Sequence, residues 1–310
     1  MRTVKTCHSK PSSPDTRPCL GAHLSVAGGL HRALLAAQEL RCCTVQVFVK
    51  NQRQWRESPL DPDDVRRWHA LREAPGFGPV VAHATYLINL ASPDQALWRR
   101  SRDVLARELR RCHELRVRYL VVHPGATTGG PVDDGVTRVA RALNWILQRH
   151  PSFVTMPLLE TTAGQGSSLG RTFAELGEIL HRLETRDRVG ICIDTCHVFA
   201  AGYEIRTPAS YESMLREVGE TVGLDRVRCW HLNDSKTECG SRVDRHEHIG
   251  RGQLGNAAFR HVLADERFTG VPMIIETPKG VDSHGRDWDR VNLQRLRTIA
   301  TLARKQSARG

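Results

Sequence analysis

Residues 190–197 read Gly190-Ile191-Cys192-Ile193-Asp194-Thr195-Cys196-His197. A short β-branched, apolar run passes straight into a carboxylate, with an imidazole three positions later. Near-continuous apolar residues mark a parallel strand covered on both faces. A carboxylate at the end of such a run is costly to bury unless it is paired or bound to metal. The same pattern recurs along the chain, at 20–25, 44–50, 80–86, 119–125, 157–162, 227–233 and 273–277. With 190–195 that makes about eight candidate strands, the number that a closed α/β barrel needs.

Amphipathic segments separate the runs. Asp61-Pro62 offers an N-cap and a proline for the first turn, followed by an apolar stripe of Val65, Trp68 and Leu71. Ser92-Pro93-Asp94 opens a second helix, whose later half carries Leu105, Leu109, Cys112 and Leu115 at helical spacing. Residues 174–183 read likewise. Trp98 and Trp145 fall in helical stripes and are expected to pack. The expectation is an α/β protein, a single (β/α)8 barrel over residues 19–303, with a flexible tail at 1–18 and a frayed end at 304–310. The chain's 310 residues suffice for one such core.

Forty-five Lys and Arg against 34 Asp and Glu give a formal charge of +11, which favours a polyanionic partner. The nine cysteines are odd in number and include no C-x-x-C pair, which argues against a disulfide scaffold and fits a reducing cytoplasm. Cys192 and Cys196 read as small buried side chains. No apolar run approaches the roughly 20 residues of a membrane span.

Ionisable residues gather at strand ends: His83, His123, Glu160, Asp194, His231 and Glu276 each lie at or near the carboxyl end of a run. In a barrel those ends converge on one mouth, where active sites sit. Asp194 and His197 add a pair just past the sixth strand. Asp244 and His246, two apart around Arg245, share one side if that segment is extended. Gly250-Arg251-Gly252 allows a sharp turn after them, and His248 is expected to support a ligand rather than be one. Imidazole and carboxylate without thiolate suit zinc or manganese, and so many ligands imply several ions. Metal can acidify water, so hydrolysis at such a cluster needs no protein nucleophile, and the sequence shows no motif for one.

Motifs across residues 19–300 resemble endonuclease IV, a family of zinc-dependent apurinic/apyrimidinic endonucleases. They are Gly21-Ala22-His23-Leu24-Ser25, Lys50-Asn51-Gln52-Arg53-Gln54-Trp55, His83-Ala84-Thr85-Tyr86-Leu87-Ile88-Asn89-Leu90 and His123-Pro124-Gly125. Leu159-Glu160-Thr161-Thr162-Ala163-Gly164-Gln165-Gly166, Asp194-Thr195-Cys196-His197, His231-Leu232-Asn233-Asp234-Ser235-Lys236 and Asp244-Arg245-His246 follow in the same order. The resemblance implies three zinc ions, with manganese an alternative at one position. His83, His123 and Glu160 would hold the first; Glu160 would bridge to a second completed by Asp194, His231 and Glu276; His197, Asp244 and His246 would hold the third. Glu160 and Glu276 would carry the catalysis, with Glu276 helping to hold a proton. Arg53, Tyr86 and Leu87 would enter the DNA, and Lys50, Arg53 and Lys236 would meet phosphates.

The implied substrate is double-stranded DNA with an abasic site, cut on its 5′ side to leave a 3′-hydroxyl and a 5′-deoxyribose phosphate. The protein is expected to be a monomer, cytoplasmic and associated with the nucleoid. Thr161, where some members have Asn, and Glu204, where Asp is common, are departures that remove no ligand. A sugar isomerase also gathers His, Glu and Asp around metal at strand ends, but lacks a use for the third ligand set. A protein that only binds damaged DNA has no need of the cluster.

Overall fold

A computed structural model describes residues 17–73 and 77–307. Its centre is a closed barrel of eight parallel strands in the order β1-β10-β7-β6-β5-β4-β3-β2. They are β1 (Cys19–His23), β2 (Thr44–Phe48), β3 (Val81–His83), β4 (Tyr119–Val122), β5 (Met156–Glu160), β6 (Gly190–Asp194), β7 (Val227–His231) and β10 (Pro272–Ile275). All eight runs expected from sequence are strands, but each stops before the apolar pattern does. The residues that overrun leave the sheet to build the loops of the mouth.

Alternation along the strands sorts the two faces. Val81, Val121, Leu158, Cys192, Cys229 and Ile274 form an apolar plug inside the barrel, with Tyr119 and Met156 against it. Their chain neighbours Ala82, Leu120, Leu159, Ile191, Trp230 and Ile275 belong to the outer layer packed under the helices. Two residues further along each strand the inner face turns polar. Val81 leads to His83, Val121 to His123, Leu158 to Glu160, Cys192 to Asp194, Cys229 to His231 and Ile274 to Glu276. The site is therefore the layer directly above the plug.

The helices are α1 (Leu30–Glu39), α2 (Pro62–Arg72), α3 (Gln95–Glu114), α4 (Val132–Arg149), α5 (Phe173–His181), α6 (Thr195–Ala201), α7 (Pro208–Thr221), α8 (Gly255–Ala264) and α9 (Trp288–Ser307). Asp61 caps α2 as expected, accepting from Asp63 N. At the second expected start the cap is Asp94, not Ser92, because only its carboxylate reaches Ala96 N and Leu97 N. Trp98 is buried with Nε1 donating to Arg138 O at 3.1 Å, a packing role as read. Helix α9 carries on to Ser307, past the boundary expected at 303; the tail at 1–16 and residues 308–310 lie outside the described residues.

Two features depart from the sequence reading. A small antiparallel pair, β8 (Asp234–Ser235) with β9 (His246–Glu247), follows β7 and folds over the rim. Cys19 and Cys43 form a disulfide, with Cα atoms 5.5 Å apart, linking the start of β1 to the turn before β2. The dispersed thiols thus include one bridge. Cys192 and Cys196 are free and fully buried.

Candidate metal centre

Glu160 lies at the middle of the mouth, fully buried. Its Oε2 is 3.1 Å from His83 Nε2 and 3.2 Å from His123 Nε2. Its Oε1 is 2.7 Å from His231 Nδ1. One carboxylate therefore faces two groups at once, His83 and His123 on one side and His231 on the other. His231 Nδ1 also lies 3.1 Å from Glu276 Oε2 and 3.9 Å from Asp194 Oδ2. Asp194 Oδ2 is in turn 3.6 Å from His246 Nε2, and Asp244 lies 3.2 Å from His197 Nε2 and 3.3 Å from His246 Nε2. Ligand atoms of His83, His123 and Glu160 lie within 4.8 Å of one another, as do those of Glu160, Asp194, His231 and Glu276, and those of Asp194, His197 and His246. All nine residues read from sequence meet at one rim.

Local structure explains the placement. Asp194 closes β6 and caps α6, its Oδ1 accepting from Cys196 N at 2.7 Å and His197 N at 3.0 Å. Its other oxygen accepts from Asn233 Nδ2 at 2.7 Å, and Asn233 Oδ1 accepts from Glu276 N at 2.8 Å. Asp234 anchors the β8–β9 pair by accepting from Gly252 N and Leu254 N. A Cβ on Gly252 would stand 2.2 Å from Ser235 O, so only glycine fits there. The pair delivers Asp244 and His246 from the side, on one face as alternation predicted.

The imidazoles answer whether metal fits. His83 Nδ1 donates to Ala84 O at 2.8 Å, His197 Nδ1 to Thr161 O at 2.8 Å and His246 Nδ1 to Glu276 O at 3.2 Å. His231 is reversed: Nε2 donates to Gln46 Oε1 at 2.8 Å. In each case the outer nitrogen's proton is committed to an acceptor, so the nitrogen facing the centre is the one a cation would take, displacing any second proton held there. His246 Nε2 is buried with no hydrogen-bond partner among the described residues. Four imidazoles held this way, with His123 and four carboxylates beside them, are a donor set for borderline cations such as zinc.

Charge is concentrated here. Burial opposes ionisation of Glu160, yet His123, His231 and His83 hold its carboxyl well below the usual range. Burial likewise opposes charge on His197, but Asp194, Asp244 and Glu160 push it up to about 10. Asp244 is held down at about 2 by His197 and His246 against its own burial.

Other sites fall as follows. Arg53 and Lys236 are exposed, Tyr86 is 64% exposed with its ring edge-on to Phe48 at 5.5 Å, and Leu87 is half-buried beside it. A cavity of about 250 Å³ opens between Tyr86, Asn89, His83, His123 and Thr162. Lys50 needs correction as a phosphate-meeting cation: it is buried, and its Nζ donates to Asn51 O at 3.1 Å and to Gln54 O. It braces the loop that carries Arg53. His248 stacks on Trp288 at 3.6 Å and accepts from Asn292 Nδ2, which also donates to Thr277 Oγ1. It supports the loop after Glu276. Thr161 supports Asp194 and His197: its Oγ1 accepts from Asp194 N at 3.0 Å and its carbonyl oxygen from His197 Nδ1.

Sequence reasoning missed His23 and Gln46. His23 ends β1 as the other ligands end their strands, and Gln46 is a lone amide in an apolar run; both signals were present. Gln46 Nε2 donates to Glu276 Oε1 at 2.5 Å and lies 2.9 Å from His23 Nδ1.

The barrel and its rim of imidazoles and carboxylates define the class: the chain belongs to the xylose isomerase-like TIM barrel family, whose profile matches residues 34–299. Within that class it is a member of the endonuclease IV family of nucleases. It is 45% identical to "Probable endonuclease 4" of Chloroflexus aggregans over 92% of this chain and 99% of that one. It is 40% identical to the "Apurinic-apyrimidinic endonuclease" of Caenorhabditis elegans over 87% of this chain and 68% of that one. The crystal structure of endonuclease IV from Thermus thermophilus matches with a TM-score of 0.80 and 36% identity, covering 92% of this chain and 100% of that one.

Proposed function

We propose that this protein is a DNA-repair endonuclease that hydrolyses the phosphodiester bond on the 5′ side of an abasic site, leaving a 3′-hydroxyl and a 5′-deoxyribose phosphate. Three zinc ions would be held, the first by His83, His123 and Glu160, the second by Glu160, Asp194, His231 and Glu276, the third by His197, Asp244 and His246. Manganese is an alternative at one position. When bound, the ions supply Lewis acidity, acidifying water and offsetting charge on phosphate oxygens. The carrying observation is the set of imidazoles whose outer N–H is committed to an acceptor, leaving the inner nitrogens of His83 and His231 facing Glu160 and those of His197 and His246 facing Asp244.

The chain's own residues do the rest. Glu160, buried among three imidazoles, stays ionised and spans two of the ligand groups. Glu276 closes the second group and helps to hold the proton of the attacking water. A nucleotide without a base is easily extruded, since no pair holds it in the stack. Exposed Tyr86, with Leu87 beside it, fills the gap left behind. The cavity between Tyr86, Asn89 and His123 receives the extruded sugar. Arg53 and Lys236 meet phosphates on either side.

Incubation with a duplex carrying one tetrahydrofuran abasic analogue, with metal content measured in parallel, tests this reading. Incision on the 5′ side with about three zinc ions per chain is expected. An intact duplex with zinc-loaded protein, or turnover of free ketoses instead, would contradict it.

A further inference from the structure

Among the described residues around the centre, Gln46 alone bonds the side chains of two candidate ligands of one ion while offering no ligand atom to it. It sits on β2, across the mouth from β7, and is fully buried. Its Oε1 accepts from His231 Nε2 at 2.8 Å, and its Nε2 donates to Glu276 Oε1 at 2.5 Å. The remaining amide hydrogen faces His23 Nδ1 at 2.9 Å. An ionised carboxylate only accepts, so the contact with Glu276 fixes which end of the carboxamide is nitrogen and which is oxygen.

Each contact has a consequence for metal. A neutral imidazole has one N–H and one lone pair. By accepting at Nε2, Gln46 puts the proton there and leaves the lone pair on Nδ1, the atom 2.7 Å from Glu160 Oε1 and 3.1 Å from Glu276 Oε2. The other three bonded imidazoles use backbone carbonyls for this purpose, which come with the fold. His231 has the opposite orientation and takes a side chain instead. By donating to Glu276 Oε1, the same amide turns Oε2 toward His231 and the centre.

We propose that Gln46 is a positioning residue for the second ion, setting the tautomer of His231 and the rotamer of Glu276 together. The inference depends on the metal centre described under the proposed function. Its measurable form is selective. Losing an outer hydrogen-bond partner of a metal ligand typically weakens binding about 10- to 100-fold, and here one ion of three should be affected.

The test is zinc retention by the full chain during dialysis against graded chelator, for wild type, Gln46→Met and Gln46→Glu. The Met variant removes both polar contacts at similar length. The Glu variant keeps the acceptor for His231 but sets a second carboxylate against Glu276, and serves if the Met variant fails to fold. In both, one zinc per chain should leave at roughly 10- to 100-fold lower chelator concentration, while the other two leave as in wild type. The circular dichroism of metal-free protein should be unchanged, and incision should lose kcat with KM for the duplex kept. Three ions retained as in wild type, or all three weakened alike, would overturn the role given to Gln46. Wild-type protein that takes up no zinc would overturn the metal centre itself, which is a different result.

Discussion

A lysine four carbons long can turn its ammonium back onto its own loop, and Lys50 does so, donating to Asn51 O and Gln54 O. Burial lowers its pKa, which a group facing phosphates in water would not show. Arg53 on the same loop is exposed. The two should separate in a salt titration of duplex binding. Arg53→Ala should reduce the slope of log K against log salt by about 1, the value for one phosphate contact. Lys50→Met should leave the slope unchanged; an equal reduction would restore Lys50 to the DNA surface. Nearby, Glu108 on α3 accepts weakly from Thr85 N, and burial, only partly offset by Lys50, raises its carboxyl to about 7. A carboxyl raised in the folded state favours folding while protonated, so stability falls as pH climbs from its ordinary value near 4.5 through about 7. The loss is at most about 3 kcal/mol. Melting curves at acid and mildly alkaline pH should show Glu108→Gln gaining on wild type as pH rises; a constant gap would show that Glu108 is not protonated in the fold.

At the scale of elements, the strand ends were legible because a charge inside an apolar run has few physical excuses. That rule found Asp194 and Glu160, and applied to β1 it finds His23 as well. What it does not see is direction. Nothing in the spelling of Lys50 tells whether the chain after it curls back, and nothing in Asp194 announces that one of its oxygens caps α6 while the other faces the centre. The β8–β9 pair was legible only as alternation in Asp244 and His246; its pairing with Asp234–Ser235 comes from contacts between separated segments. Because that pair supplies its ligands from the side, its loss should be local. His246→Ala should bind about one zinc fewer per chain and lose most incision, with an unchanged far-ultraviolet circular dichroism spectrum. Full incision with the metal content of wild type would remove His246 from the centre.

For the molecule as a whole, the barrel separates what holds it together from what it does. Cys19 and Cys43 are joined at the end of the barrel where β1 and β2 begin, while His23 and Phe48 close those strands at the mouth. A cross-link spanning 24 residues restricts the unfolded chain by about 3 kcal/mol. Cys43→Ser should therefore unfold at lower denaturant, by up to about that amount, yet incise at the wild-type rate. Slower incision by the folded variant would mean that the two ends of the barrel are coupled.

The apolar stopper of Val81, Val121, Leu158, Cys192, Cys229 and Ile274 makes the polar layer above it a blind alley. Cations and nucleic acid must then share one doorway. A duplex bound there without being cut should act as a lid over the ions, so that a chelator strips them more slowly from the complex than from the free protein. Equal stripping rates would reveal a second exit.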